Sequence, residues 1–483
     1  MKILLIYSVR DYQSPAKPIR DPKYIYFGIS YISSYLKSHG HQTELLILTR
    51  VTKKSIIDQF ITQFQPSLIC FTAVTTEYAF ISKIANYVKS SYPSIFLLIG
   101  GIYSSINPER VIQGPFDALC IGEGEYPTLE LVEYLEKGKK PRKIKNLWIK
   151  TEEGIEKNPT REFNQDLDSL PFPDREMWHK WTHYRDIGDQ NILLGRGCPF
   201  NCTYCYNHAL KKVANGKYVR FRSANNILLE IKELVTKYPK TKEIYFEGDN
   251  VGADLGFALK LCSEIQKINR NRHLLFGVNL RVVPNRDYEE IFQAFKKANF
   301  RVNIGLESGS EKIRKNILRR HYSNADIIRT IKQAKKYGLY VKTFNMIGLP
   351  GETLADFKKT IQVNRASLPD QMFLNMFCPY PGMDIFKIAK KMGSLPSKLD
   401  PRRQYSRPNL TLKGFSRKEI QREYQWFYFN VYRNYKPLYM LLGAVLMYKI
   451  MSSPLLFRMH NNLDNKPFFR SVKSILTQTF RFR

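Results

Sequence analysis

Three of the chain's seven cysteines fall in the run Gly195-Arg196-Gly197-Cys198-Pro199-Phe200-Asn201-Cys202-Thr203-Tyr204-Cys205-Tyr206-Asn207, in a CxxxCxxC spacing. Thiolates are soft ligands that suit iron–sulfur clusters and zinc. Three cysteines on one tight loop can hold three irons of a cubane cluster. The fourth iron is then open to bind and reduce a small molecule. A structural Cys₃His zinc site is the alternative, with His208 as its fourth ligand. That alternative leaves unexplained the glycines before Cys198 and the apolar run 191–194, which delivers the loop as a strand. Cys70, Cys120, Cys262 and Cys378 stand singly in apolar segments and read as buried core thiols. This is no disulfide framework, and it fits a reducing cytoplasm.

A loop of this kind needs rigid elements behind it, and the chain supplies two series of them. Before the loop, apolar strands at 2–7, 43–48, 68–72, 95–99 and 118–121 alternate with helical stretches at 27–39, 54–64 and 77–90. This alternation predicts an α/β fold with a doubly wound parallel sheet over residues 1–145. Ligands of such sheets bind at the carboxyl ends of the strands. The informative residues there are Thr72, the pair Gly100-Gly101, and the turn Gly122-Glu123-Gly124-Glu125. The glycines let backbone approach a ligand closely.

A proline-punctuated crossing, Asp166-Leu167-Asp168-Ser169-Leu170-Pro171-Phe172-Pro173-Asp174-Arg175, lies within a linker expected at 146–190. Beyond it, strands at 191–194, 244–246, 274–280, 301–306, 339–347 and 371–377 alternate with helices at 226–238, 257–268, 288–298, 324–337 and 354–367. The strand ends carry Glu247-Gly248-Asp249, Gly305-Leu306-Glu307-Ser308-Gly309, Gly348-Leu349-Pro350-Gly351-Glu352-Thr353 and Cys378-Pro379-Tyr380-Pro381-Gly382-Met383.

The cysteine loop, with aromatic Tyr204 before its last cysteine, resembles the signature of radical S-adenosylmethionine (SAM) enzymes. The glycine loops of the first series resemble those of the cobalamin-binding domain that precedes the barrel in a large class of these enzymes. The resemblance covers roughly residues 1–395. It implies a partial (β/α)₆ barrel over 191–395. It also implies a four-iron four-sulfur cluster on Cys198, Cys202 and Cys205, and SAM bound at the open iron. SAM contacts are then expected from Tyr204, Glu247, Asp249, Glu307, Gly348 and Pro350. Cobalamin contacts are expected from Thr72, Gly100, Gly101, Gly122, Glu123, Gly124 and Glu125. No Asp-x-His-x-x-Gly motif is present, so no histidine ligand to cobalt is expected. The implied activity is methyl transfer to an unactivated carbon or phosphorus centre through a 5′-deoxyadenosyl radical. The alternatives are a radical cyclisation or rearrangement on a tetrapyrrole or lipid-like substrate, and a non-catalytic cobalamin or cluster sensor. An electron donor such as flavodoxin or ferredoxin is the implied partner.

The remaining segment, 396–483, is basic and aromatic, with helices expected at 416–433 and 437–451. The net charge of +33 suits nucleic acid, an anionic membrane surface or an acidic substrate, and equally a lysine-rich solvated surface. No nucleic-acid module is recognisable. No signal peptide or membrane-length apolar run is present, which predicts a cytoplasmic protein. The apolar run 437–448, flanked by Lys436 and Lys449, is a candidate for peripheral membrane contact. The other reading is a helical cap, with Leu441, Leu442, Val445 and Leu446 packed inward.

Overall fold

Short apolar runs such as Ile3-Leu4-Leu5-Ile6 and Leu97-Leu98-Ile99 are buried along their whole length, as strands covered on both faces must be. The computed structural model describes residues 1–9, 24–49, 52–182, 188–248, 251–397 and 407–453. It divides into two compact units: 1–200 with 206–249 and 272–275, and 201–205 with 250–271 and 276–483.

The first unit opens with β1 (Lys2–Ser8), α1 (Phe27–Ser38), β2 (Gln42–Leu48), α2 (Lys54–Phe64), β3 (Leu68–Thr72), α3 (Tyr78–Ser91) and β4 (Phe96–Gly100). Then come α4 (Ile102–Ile106), α5 (Pro108–Ile112), β5 (Ala118–Cys120), α6 (Glu125–Glu136), β6 (Leu147–Thr151) and β7 (Gly154–Lys157). These strands form one sheet in the order β2-β1-β3-β4-β5-β6-β7. The strands from β2 to β5 run parallel. The order reverses at β1, which makes the β1/β3 edge a topological switch point with an open crevice.

The sheet departs from the all-parallel expectation at its far side. There β6 and β7 form an antiparallel hairpin within the stretch read as linker. Only Leu147 and Ile149 of the hairpin are fully buried, so its apolar signal in sequence is short.

The rest of this unit holds β8 (Asp189–Leu193), β9 (Gly195–Arg196), α7 (Asn207–Leu210), β10 (Arg220–Phe221), α8 (Ala224–Lys237) and β11 (Glu243–Glu247). β8 and β11 are parallel, and β9 and β10 pair antiparallel. The proline crossing is pinned by charge. Arg175 pairs with Glu230 and donates to the carbonyl of Asn191 at 2.9 Å. Arg222 donates to the second oxygen of Glu230 and to the carbonyl of Leu193. A buried carboxylate with two guanidiniums thus fixes the crossing to strand β8.

The second unit contains α9 (Leu255–Asn269), β12 (Leu275–Leu280), whose first residue belongs to the first unit, α10 (Glu289–Lys297), β13 (Phe300–Glu307) and α11 (Glu311–Ile313). α11 runs into a π-helical turn, Arg314–Leu318. There follow α12 (Asn324–Lys336), β14 (Val341–Ile347), α13 (Leu354–Ser367), β15 (Gln371–Met376), α14 (Asp384–Lys391), α15 (Arg417–Tyr432) and α16 (Leu438–Ser452). β12 to β15 are parallel neighbours in sequence order. Capping boxes at Ser323/Asp326, Thr353/Asp356 and Ser416/Glu419 set where α12, α13 and α15 begin. One core joins Ile347, Phe357, Met372, Leu374 and Met376 to Ile420, Phe427, Val431 and Leu441. The spacing 420, 424, 427, 431 puts a single face of α15 on that core.

Candidate functional site

The carboxyl ends of the first unit's strands surround a cavity of about 850 Å³. Its walls include Thr72, Gly100, Gly101, Gly122, Glu123, Gly124 and Glu125, so the structure brings all seven of these sequence-predicted residues together. Gly28, Tyr206, Tyr218, Glu247 and Gly248 line the same space. The volume is that of a sizeable ligand site.

The carboxylates of the Gly122–Glu125 turn have partners of their own. Arg196 donates to Glu123 Oε1 at 3.0 Å and to Glu125 Oε1 at 2.5 Å. Arg220 donates to Glu123 Oε1 at 2.9 Å, and the Asn164 amide to Glu123 Oε2 at 2.8 Å. Burial opposes the charge of Glu123, but Arg196, Arg220 and the amide outweigh it and lower its pKa. These two side chains therefore hold the turn in place, and its backbone is what the cavity meets. Serine supports it further: Ser105 Oγ accepts from the Gly122 amide at 2.9 Å.

Arg196 can sit there because its neighbours are glycines. A Cβ on Gly195 would lie 2.2 Å from the carbonyl oxygen of Arg220, and one on Gly197 would lie 2.1 Å from that of Tyr218. Gly197 also has φ +87°, in the left-handed region. The glycines that precede Cys198 are thus required by the close β9–β10 approach.

Asn201–Cys205 belong to the second unit, whereas Cys198 belongs to the first. The five-residue stretch is fixed by its centre. Thr203 Oγ1 donates to the carbonyl of Ile317 at 2.6 Å, and the Ile385 amide donates to the carbonyl of Thr203 at 3.0 Å. Arg281, just past the end of β12, donates to Cys202 Sγ at 2.6 Å. Arg320 donates to Tyr204 Oη at 2.7 Å, to Glu307 Oε1 at 2.6 Å and to the Gly305 carbonyl at 3.0 Å. Tyr204 and Glu307, both predicted as SAM contacts, therefore meet on one guanidinium. Burial drives the Tyr204 phenol well above its ordinary pKa, against the pull of Arg320. Glu307 has φ +64° beside an irregularity in the β13–β14 register. A left-handed glutamate at a strand end is a strained position of the kind that gathers at functional sites.

At the end of β14 the turn is organised by a carboxyl. Glu352 Oε2 accepts from the Gly348 and Leu349 amides at 2.7 and 3.2 Å. Its other oxygen is buried with no hydrogen-bond partner. Burial pushes this carboxyl up to about 8, against the two amides. Gly348 and Pro350 are buried in the same turn. Asp249 lies outside the described residues, and Glu247 faces the first unit's cavity. Sequence reasoning missed Arg281, Arg320 and Glu352 as organisers. The first two bear no motif, and Glu352 was visible only as part of a glycine turn.

The donor set fits an iron–sulfur cluster. No disulfide takes up Cys198, Cys202 or Cys205. Among the described residues no three His, Cys, Asp or Glu side chains are grouped to hold one metal ion. What fits the cluster is the ligand type and its CxxxCxxC spacing on one loop. An arginine donor on the sulfur of Cys202 also suits an anionic ligand.

Two family models match the chain: the Radical SAM superfamily over residues 192–363 and the B12 binding domain over residues 22–132. An uncharacterized methyltransferase of Pyrococcus horikoshii is 26% identical over 443 residues, 91% of this chain and 94% of that protein. Two solved structures share the fold. One is the radical SAM methyltransferase TsrM from Kitasatospora setae with cobalamin and a [4Fe-4S] cluster bound (TM-score 0.64, 17% identity, 81% of this chain and 75% of that one). The other is the cobalamin-dependent radical SAM enzyme OxsB with aqua-cobalamin bound (TM-score 0.68, 14% identity, 96% and 75%). The fold and the cysteine loop define a radical SAM enzyme. The chain belongs to the radical SAM enzymes that carry a cobalamin-binding domain, whose cofactors are a four-iron four-sulfur cluster, SAM and cobalamin.

Proposed function

We propose that the chain transfers a methyl group to an unactivated carbon or phosphorus centre of a small-molecule or lipid-like substrate. The observation that carries this reading is the cavity at the strand ends of the first unit, walled by both glycine loops. When bound, SAM at the cluster supplies the 5′-deoxyadenosyl radical and cobalamin supplies the methyl group. The chain's part is to hold and orient. Cys198, Cys202 and Cys205 hold the cluster. Arg320 fixes Tyr204 and Glu307, which position SAM together with the Gly348–Pro350 turn. Thr72, Gly100, Gly101 and Gly122–Glu125 hold cobalamin by backbone approach. In this reading 1–145, extended by the β6–β7 hairpin of its sheet, is the cobalamin domain, the rest of 146–190 the linker, 191–395 the barrel and 396–483 a basic helical segment. A flavodoxin or ferredoxin supplies the electron.

A second reading has its own support. The anaerobic magnesium-protoporphyrin IX monomethyl ester cyclase of Rubrivivax gelatinosus is 25% identical over 374 residues, 74% of this chain and 65% of that protein. Its name describes ring closure, not methyl transfer. The test is turnover with SAM labelled in its methyl group, under reducing, oxygen-free conditions with cobalamin. Methyl transfer predicts label in the product and release of 5′-deoxyadenosine. Release without label favours the cyclase reading. A loaded protein that releases none is a sensor, and both enzyme readings fail.

A further inference from the structure

α16 is apolar on every side, and only one side is covered. Leu441 and Val445 are buried on the core shared with α15. Beside that face Leu438, Tyr439, Leu442 and Leu446 are 47–63% exposed. Their spacing makes one stripe along a 15-residue helix. An all-round apolar helix is otherwise found buried, and a contiguous exposed apolar stripe marks an interaction surface. Of the four residues expected to pack inward as a cap, Leu441 and Val445 do so, and Leu442 and Leu446 face out.

Charge identifies what covers the stripe. From Tyr424 to the end the chain has nine Lys or Arg against a single acidic residue, Asp464. Lys449 is exposed at one end of the helix. Lys436, at the other end, is turned inward, donating to Tyr428 Oη at 2.8 Å and lying 4.0 Å from the Tyr432 ring centroid, so it adds no surface charge there. The thirty residues after Ser453 continue with six Lys or Arg. A second copy would add the same positive charge to one assembly, at a Coulombic cost. An anionic lipid surface accepts both the leucines and the cations. No described helix is long and apolar enough to cross a membrane, so the contact is in the plane of the surface.

We infer that the outer face of α16 docks this protein on a lipid bilayer, and that the basic composition of the sequence around and after it selects an anionic one. The inference does not depend on which reaction the enzyme performs. The test is sedimentation of the full chain with vesicles of phosphatidylcholine alone or mixed equally with phosphatidylglycerol, at low and high salt. Binding is expected only with the anionic vesicles and weaker at high salt. Leu442→Glu/Leu446→Glu should lower it at least tenfold. Leu229→Glu, an exposed leucine on α8, should leave it unchanged. Unaltered thermal unfolding confirms that the double variant folds, as its exposed positions predict. Failure of the full chain to bind anionic vesicles at low salt overturns the proposal, as does wild-type binding by the double variant. A concentration-dependent dimer lost in the double variant, without lipid binding, overturns it in favour of an interface between copies.

Discussion

Arg320, itself buried, divides one guanidinium among a half-buried phenol, a buried carboxylate and a half-buried backbone carbonyl. Removing it leaves the Glu307 carboxylate without its cation inside the protein. Arg320→Met is therefore expected to destabilise the fold by about 3–5 kcal/mol, the usual effect of breaking a buried pair. Arg320→Lys should recover only part, since an ammonium lacks the planar fork. Chemical denaturation reads both. Glu352 gives a pH signature of the opposite kind. Its folded pKa, about 8, lies above its unfolded value of 4.5. Between those values the folded chain keeps a proton that the unfolded chain has lost, so stability falls as pH rises. The slope is at most ~1.4 kcal/mol per pH unit, and it flattens above the folded value. Glu352→Gln should remove this slope, seen as a shrinking difference between wild type and variant as pH is lowered towards 5. The cysteine trio and Glu307 were legible as residues. Arg320 was not, because its role comes from geometry between β13 and the turn after α11.

The strand-to-loop junctions are where elements become a site. The β9–β10 pair closes only over Gly195 and Gly197, so Gly195→Ala should cost about 1–3 kcal/mol through forced backbone shifts. A cavity test needs a wall position with room. Gly101 is a poor choice: its φ is +95°, and a Cβ there would meet Thr72 Oγ1 at 2.7 Å. Gly28, near the start of α1, lines the cavity and has nothing within 4 Å of an added Cβ. Gly28→Trp should fill the space without backbone strain and abolish cobalamin uptake, measured by absorbance of the reconstituted protein. Undiminished uptake would show that cobalamin sits elsewhere. The repeating strands and helices could be read from sequence because buried parallel strands are continuous apolar runs. The β6–β7 hairpin could not, since its outer face is charged and only two of its side chains reach the core. The short helices α4 and α5, divided at Asn107-Pro108, were likewise not read from the sequence.

Across the whole chain, cofactor loading is the measurable property. Anaerobic reconstitution should give about four irons per chain, as a cubane requires. A Cys198→Ala/Cys202→Ala/Cys205→Ala variant should take up none and release no 5′-deoxyadenosine. Stoichiometric zinc in place of iron would refute the cluster. Domain order and class were legible because each part has its own local signal. What covers the C-terminal helix was not, because apolar runs look alike in sequence whether they face a core or a surface. The charge quartet of Glu123, Glu125, Arg196 and Arg220 carries one more consequence, for inheritance. The four sum to zero inside the first unit, so any single loss strands a charge of known sign. A lineage can leave this arrangement only by exchanging residues in pairs. Among descendants of one ancestor, positions 123, 125, 196 and 220 should be kept or replaced in charge-balanced sets, and an alignment in which Arg196 is lost while both glutamates persist would contradict it.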